Sequence, residues 1–296
     1  MEGKRRVTIS GIGVAEKVVP YDITIDSERE RVLAKGLERL SFNNSVRFLE
    51  TSLRFIENIR TVKGQALLGL SEEEQKLLLM LYYTFWDAGL SELKEQHFDH
   101  VESALYWLIE NPLCFEELKD VIQYQCDKID IVGRAIPELG SDVPIDLYCN
   151  YTIDQVLAAL GKHKAWKHSH FQEGVLHLKD RNMDVFFITL NKYEKDYSPS
   201  TMYHDYAINE RVFHWQTQSR TTVTSPTGQR YINQRKTKHP VLLFVRDKKS
   251  EGTVTMPFTC IGLADYQSHS GSAPISIEWR MREALPAFVL QTAVKV

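Results

Sequence analysis

The residues whose types and spacing bear on chemistry lie mostly in the second half of this 296-residue chain. His177 and Lys179 form a His-x-Lys unit, and Asp184 follows after four residues. In phosphodiester cleavage such a histidine is the nucleophile and such a lysine holds a phosphate oxygen. The unit occurs once, whereas that chemistry needs two, and Val185-Phe186 stands where a Gly-Ser pair usually follows. A strand, turn and strand with His177 and Lys179 in solvent is the expectation. Asp184, Asn191 and Lys192 lack the second carboxylate that a magnesium-dependent nuclease places beside its lysine. Eight of the ten histidines follow residue 140, yet none sits in HExxH. Cys114, Cys126, Cys149 and Cys260 are far apart and make no CxxC. Zinc is therefore not expected. Without GxxxxGK[ST] or GxGxxG there is no loop for ATP or a dinucleotide. The sequence predicts no cofactor and no metal.

A second constellation mixes aromatic, amide and basic side chains. Tyr203-His204-Asp205-Tyr206 precedes Phe213-His214-Trp215-Gln216-Thr217-Gln218-Ser219. Arg230-Tyr231 and a basic run with Arg235, Lys236 and Lys238 come next. Aromatic faces stack on bases, Gln and Asp read base edges, and Arg and Lys neutralise phosphates. Residues 211–249 carry nine Lys or Arg against Asp247 alone. Residues 1–140 hold 17 basic and 24 acidic residues, and residues 141–296 hold 19 and 15, so a net charge of -3 conceals opposite halves. A basic stretch of this kind suits a polyanion partner, although a solvated charged hairpin would read the same way.

The elements that must position these groups divide at about residue 140. Before it the pattern is helical, after a short extended segment at 17–25. One helix is expected within 40–60. Another opens at the capping box Ser71 and Glu74, and its run LLLMLYYTFW is apolar nearly all round, so it should be buried. Ser91 is expected to cap a further helix, and 115–129 to form one more. Residues 140–150, with Pro144, read as a linker. Thr152 and Gln155 make a second capping box for a helix at 153–160, with Gly161 suited to its left-handed end. The pattern then changes to β. Strands are expected at 183–190, 208–218, 241–245, 253–263 and 275–281, with a turn at Pro226-Thr227-Gly228. Along 208–218, His214, Gln216 and Gln218 share one face, and Phe213 and Trp215 the other, so Trp215 reads as core as readily as a stacking surface. The fold class is α+β: a helical part, 1–140, followed by a small mixed β-barrel or bent sheet, 146–296. No apolar run spans a bilayer and the N-terminus has no signal h-region, so a reduced, cytoplasmic protein with no membrane contact is expected.

The motifs from Asp184 to Lys192, Tyr197 to Tyr206, Phe213 to Ser219, Ser225 to Tyr231, Leu242 to Arg246 and Ile275 to Trp279 together resemble a bacterial domain. It is the C-terminal domain of unknown function in SauUSI-like type IV restriction enzymes, which carry a phospholipase-D-like nuclease and a DEAD/DEAH-type helicase and cut DNA with modified cytosine. The resemblance covers about residues 146–286. It implies that 1–140 is the coupler between helicase and recognition domain, and that this chain is a recognition part without motor or nuclease. It also implies an SRA/PUA-like barrel that flips 5-methylcytosine, with 5-hydroxymethylcytosine as the other substrate in view.

On that reading the pocket holds Tyr203, Asp205, Tyr206, Trp215, Gln216 and Gln218. Tyr206, Trp215 or Tyr203 stacks on the base, Asp205 accepts from its amino group, and the two amides read the remaining edge or fill the vacated duplex. Asn191, Lys192, Arg220, Arg230, Arg235, Lys236 and Lys238 hold the backbone. The partners implied are double-stranded DNA with modified cytosine and the upstream helicase and nuclease domains. An oligomer is left open. Two alternatives stand beside this: an interaction scaffold docking on a helicase, and a phospholipase-D-like nuclease using His177, Lys179 and Asp184.

Overall fold

The structure, a computed structural model, describes residues 24–62, 68–93, 98–130, 133–171, 174–191 and 205–293. The extended segment expected at 17–25 lies almost wholly outside them. Among the described residues five α-helices lead: α1 (Ser27–Leu40), α2 (Val46–Thr61), α3 (Glu72–Phe85), α4 (Val101–Ile109) and α5 (Pro112–Lys128). Each begins at a side chain that satisfies free N–H groups of the first turn: Asp26, Ser45, Ser71, His100 and Asn111. At Ser71 the box is complete, with Glu74 N–H donating to Ser71 Oγ and Ser71 N–H to Glu74 Oε2. Nine residues of α3 are buried, as its apolar sequence requires. Ser91 caps no α-helix. It lies in a 3-10 turn, Leu90–Glu92, and its hydroxyl donates to the Trp166 carbonyl.

The segment read as a linker is instead buried and paired. β1 (Arg134–Ala135) pairs with β2 (Asp146–Leu147), and β3 (Asn150–Tyr151) joins the main sheet. Asn43 and Asn44 reach the backbone of Asn150 and Tyr148, and Arg47 and Ser45 hold Asp146. Its position between the halves gives it polar partners from α2's entry, so it needs no solvent. α6 (Ile153–Ala159) follows with the Thr152–Gln155 box formed, and Gly161 takes φ +71° beyond its end.

The remaining chain builds an eight-stranded mixed sheet from β3, β4 (Val175–Leu178), β5 (Met183–Thr189), β6 (Tyr206–Asn209), β7 (Val212–Gln216), β8 (Val241–Arg246), β11 (Phe258–Ser270) and β12 (Ser276–Met281). The order is β4-β5-β8-β11-β12-β7-β6, with β3 beside β11. β5 and β8 run parallel, so a crossover joins them; it carries the β6–β7 hairpin, α7 (Pro226–Ile232) and α8 (Gln234–Thr237). A small pair, β9 (Ser250–Glu251) with β10 (Val254–Thr255), and α9 (Ala287–Ala293) complete the fold. Two expectations are corrected here. Residues 208–218 are not one strand, since the chain reverses at Glu210-Arg211, where Asn209 Oδ1 accepts the Arg211 N–H. Pro226 opens α7 at its first position, where a missing N–H costs nothing, and Ser225 caps it.

The sheet curls strongly. Trp215 on β7 stacks on Phe186 of β5 with ring centroids 4.2 Å apart, although β8, β11 and β12 lie between those strands. Four strand spacings on a flat sheet would separate them by roughly 19 Å. The bent, barrel-like sheet therefore encloses its own core, with Phe213, Tyr231, Ile277 and Trp279, under α7 to α9. The other face packs on the helices. One continuous core joins Leu81, Phe85 and Leu105 to Val156, Phe187, Phe244 and Phe258, so the helical part and the sheet share an interior. Among the described residues no helix is long and apolar enough to cross a membrane.

Candidate nucleic-acid interface

At the end of the sheet where β11 and β12 extend beyond β8, the faces of β7 divide as alternation demands. Phe213 and Trp215 point inward. His214 and Gln216 point outward, opposite Glu278 and Ser276 of β12. Tyr206 lies flat on His214, with centroids 4.6 Å apart and planes 19° off parallel. Gln216 Nε2 donates to Ser276 Oγ at 3.2 Å, and Ser268 Oγ and Gln267 Nε2 donate to Glu278 Oε2 at 2.7 and 3.2 Å. Tyr206, His214, Gln216, Ser276 and Glu278 are all half-buried, which makes this an open polar face with an aromatic pair. Gln218 and Arg220 are exposed just past β7, and Arg235, Lys236 and Lys238 are exposed on and after α8. α8 packs against β11 near this end, its Gln234 accepting the Tyr266 N–H. Ser276 and Glu278 were missed in the sequence, although the alternation of Ser276, Glu278 and Arg280 with Ile277, Trp279 and Met281 announces them.

Several expected roles change. Trp215 is 6% exposed and covered by Phe186 and Tyr231, so it is a core residue and no plate for an incoming base. Asp205 is buried, and its Oδ1 accepts the Gln216 N–H at 3.0 Å, which fixes the start of β6 on β7. Asn191 sits past the opposite end of β5, bonded to Asp247, roughly 20 Å along the strand from Asp184. It cannot join the groups around Gln216. Tyr203 and Lys192 lie outside the described residues.

Arg230 is committed elsewhere. Asp184 is fully buried, and four nitrogens of three side chains converge on its carboxylate: Arg230 Nε (2.7 Å) and Nη2 (3.2 Å), His177 Nδ1 (2.9 Å) and His239 Nε2 (2.8 Å). His177 is thus held by Asp184 and not simply in solvent; Lys179 is exposed as expected. Burial works to raise the Asp184 pKa, but the hydrogen bonds from His239 and Arg230 and the guanidinium charge hold it below the usual carboxylate range. His177, Asp184 and His239 have metal-ligand geometry. The fork of Arg230 already lies on the carboxylate, and a cation there would face a guanidinium. The arrangement is a buried charge network that pins α7 to β4 and β5.

A second set joins Asp154, His163 and His168, with Asp154 Oδ1 3.0 and 3.3 Å from the two Nε2 atoms. His163 Nδ1 accepts the Ser169 N–H at 3.1 Å. That ring nitrogen carries no proton, so Nε2 of the neutral ring does, and it donates to Asp154. A metal ligand would need the reverse tautomer. Burial opposes ionisation of Asp154, and the contacts with His163 and His168 outweigh it and lower its pKa. This set too is structural. All four cysteines are free, and burial pushes the Cys149 thiol up to about 12 and that of Cys260 higher still, so both stay protonated.

Comparison with known proteins assigns the sheet half. The model of a domain of unknown function, DUF3427, matches residues 145–292, half of the chain. The chain belongs to the DUF3427 family. No curated protein matches it. Among solved structures, the crystal structure of Arabidopsis thaliana SUVH6 in complex with SAM is similar at a TM-score of 0.33 and 12% identity. The alignment covers 91% of this chain and 42% of that one, so this chain spans less than half of its length. A likeness of that degree says nothing of what the DUF3427 domain binds. The matched region begins at β2 and takes in the whole curled sheet, the polar face of β7 and β12, and the Asp184 network.

Proposed function

We propose that this chain binds double-stranded DNA containing modified cytosine, and that it recognises an extruded base at the open face formed by β6, β7 and β12. 5-Methylcytosine is the preferred ligand, with 5-hydroxymethylcytosine the nearest competitor. Its place is the target-recognition part of a cytoplasmic, modification-dependent restriction system similar to the SauUSI-like enzymes. Helicase and nuclease activity belong to other domains, and this chain performs no cleavage itself. The curled sheet is compatible with an SRA/PUA-like reader.

The observation that carries the reading is the stacked Tyr206–His214 pair beside Gln216, with Arg220 exposed just past β7 and Arg235, Lys236 and Lys238 exposed on and after α8. A flipped base needs an aromatic surface, polar groups for its edge, and cations for the flanking phosphates. Tyr206 supplies the first, Gln216 and Gln218 the second, and the four exposed cations the third. Asp205 acts by holding the Gln216 backbone.

Fluorescence anisotropy with one short duplex, unmodified or carrying 5-methylcytosine, at two salt concentrations tests it. Tighter methylated binding that survives the higher salt is expected, together with its loss in Tyr206→Ala. Equal, strongly salt-dependent binding to both duplexes would remove the modified-base reading.

A further inference from the structure

Residues 161–170 contain Lys162, Lys164 and Lys167, three histidines and Trp166, and no acidic residue. Their backbone makes a tight turn. Lys164 and Lys167 exchange both N–H to carbonyl bonds at 3.1 Å, which leaves Ala165 and Trp166 at the tip. Trp166 is 53% exposed, and Lys164 and Lys167 beside it are exposed as well. Trp86, Trp215 and Trp279 are buried, and Trp107 is half-covered with the Arg29 guanidinium over its ring.

The indole is exposed on a rigid mount. The Ala165 carbonyl accepts from Leu90 N–H at 2.9 Å, and the Lys164 carbonyl from Tyr83 Oη–H at 2.8 Å. Ser91 Oγ holds the Trp166 carbonyl. His163 and His168 tie the base of the turn to Asp154. Gly89 passes directly beneath: a Cβ there would lie 2.6 Å from Lys167 N and 2.7 Å from Trp166 O. The backbone that carries this indole therefore has little ordering entropy left to lose when a ligand meets it.

We infer that the Lys164–Lys167 turn is a separate nucleic-acid contact, which stacks Trp166 on an unpaired base of single-stranded DNA while Lys164 and Lys167 hold its phosphates. The flanking charges favour this partner. An indole that anchors a protein interface sits in an apolar surround, whereas here the two exposed residues that close the turn are lysines, and a carboxylate bonded to the turn, Glu92, is engaged at its base by the His168 N–H. The inference does not rest on the modified-base reading, because every unpaired base offers a face.

The test is titration of the full chain's tryptophan fluorescence with an unmodified oligothymidylate of roughly 12 nucleotides. Quenching is expected, and it should vanish in Trp166→Phe while most of the affinity remains. Trp166→Ala should weaken binding about tenfold. Lys164→Ala with Lys167→Ala should flatten the slope of log affinity against log salt by about 1.4. Undiminished quenching in Trp166→Phe, unchanged affinity in Trp166→Ala, or no binding of the wild-type chain would overturn the inference. Thermal midpoints equal to wild type establish that the variants are folded. The methylated and unmodified duplexes, run on Trp166→Ala, keep the two readings apart: a retained preference for methylated DNA leaves the base-recognition reading standing when single-strand binding is lost.

Discussion

The guanidinium of Arg230 lies in fork contact with the carboxylate of Asp184, Nε 2.7 Å from Oδ2 and Nη2 3.2 Å from Oδ1. It joins α7 to β5 at the point where His177 and His239 also meet that carboxylate. Removing the cation would leave a buried charge with two imidazoles for partners. Arg230→Ala is expected to lose about 3 kcal/mol of stability in urea unfolding. Arg230→Lys should recover only part, because an ammonium cannot fork.

Acid should unfold the protein through two named carboxylates. Burial opposes ionisation of Asp142, but Arg181 and Lys76 grip it from the β4–β5 turn and from α3 and bring its pKa to about 2. Asp184 is lowered as well. Both groups take up protons more readily in the unfolded chain. Their stabilisation is complete above the unfolded value near 4 and is lost as pH falls through the folded values. Urea midpoints should hold between pH 7 and 5 and then drop steeply, and Asp142→Asn should give a lower midpoint at pH 7 with a shallower acid limb.

Gly36 of α1 lies against the Phe85 ring of α3. A Cβ there would stand 2.0 Å from two atoms of the Phe85 ring, which is itself buried. Gly36→Ala improves helix propensity yet is expected to destabilise by about 1–3 kcal/mol through overpacking. A thermal midpoint raised by the substitution would contradict this packing.

The exposed cations and the base-reading face should separate in DNA binding. Arg235→Ala, Lys236→Ala and Lys238→Ala together should reduce the salt slope on duplex DNA by up to about 2.7, with the ratio of methylated to unmodified affinity unchanged. Gln216→Ala should lower that ratio and leave the slope alone. The same series run with a cleavage assay checks the catalytic alternative: cleavage by the wild type that disappears in His177→Ala would make the chain a nuclease.

What was legible in the sequence was local. Both capping boxes lie within four residues, and α3 and β8 carry their burial in their own composition. The inward and outward faces of β7 follow from period two alone. What failed depended on partners far along the chain. The reversal at Glu210-Arg211 has no glycine, and its one signal is the Asn209 side chain. Arg230 looked free for phosphate because its acceptor, Asp184, lies 46 residues upstream. Trp215, on the face of Phe213, reads in the sequence as either core or stacking plate, since nothing local says that the sheet curls far enough to lay Phe186 on it. Residues 140–150 looked like a spacer, and only the asparagines of another segment make them part of the interior.

That shared interior has a mechanical consequence. Leu81, Phe85 and Leu105 pack with Phe187, Phe244 and Phe258 in one cluster, and the Lys76–Asp142–Arg181 bridge fastens the same seam. Helices and sheet form one lever with no hinge between them at residues 140–150. A displacement of α1 through α5 would have to carry the sheet, and with it the β7 and β12 face, because moving one without the other would open that cluster and break the bridge.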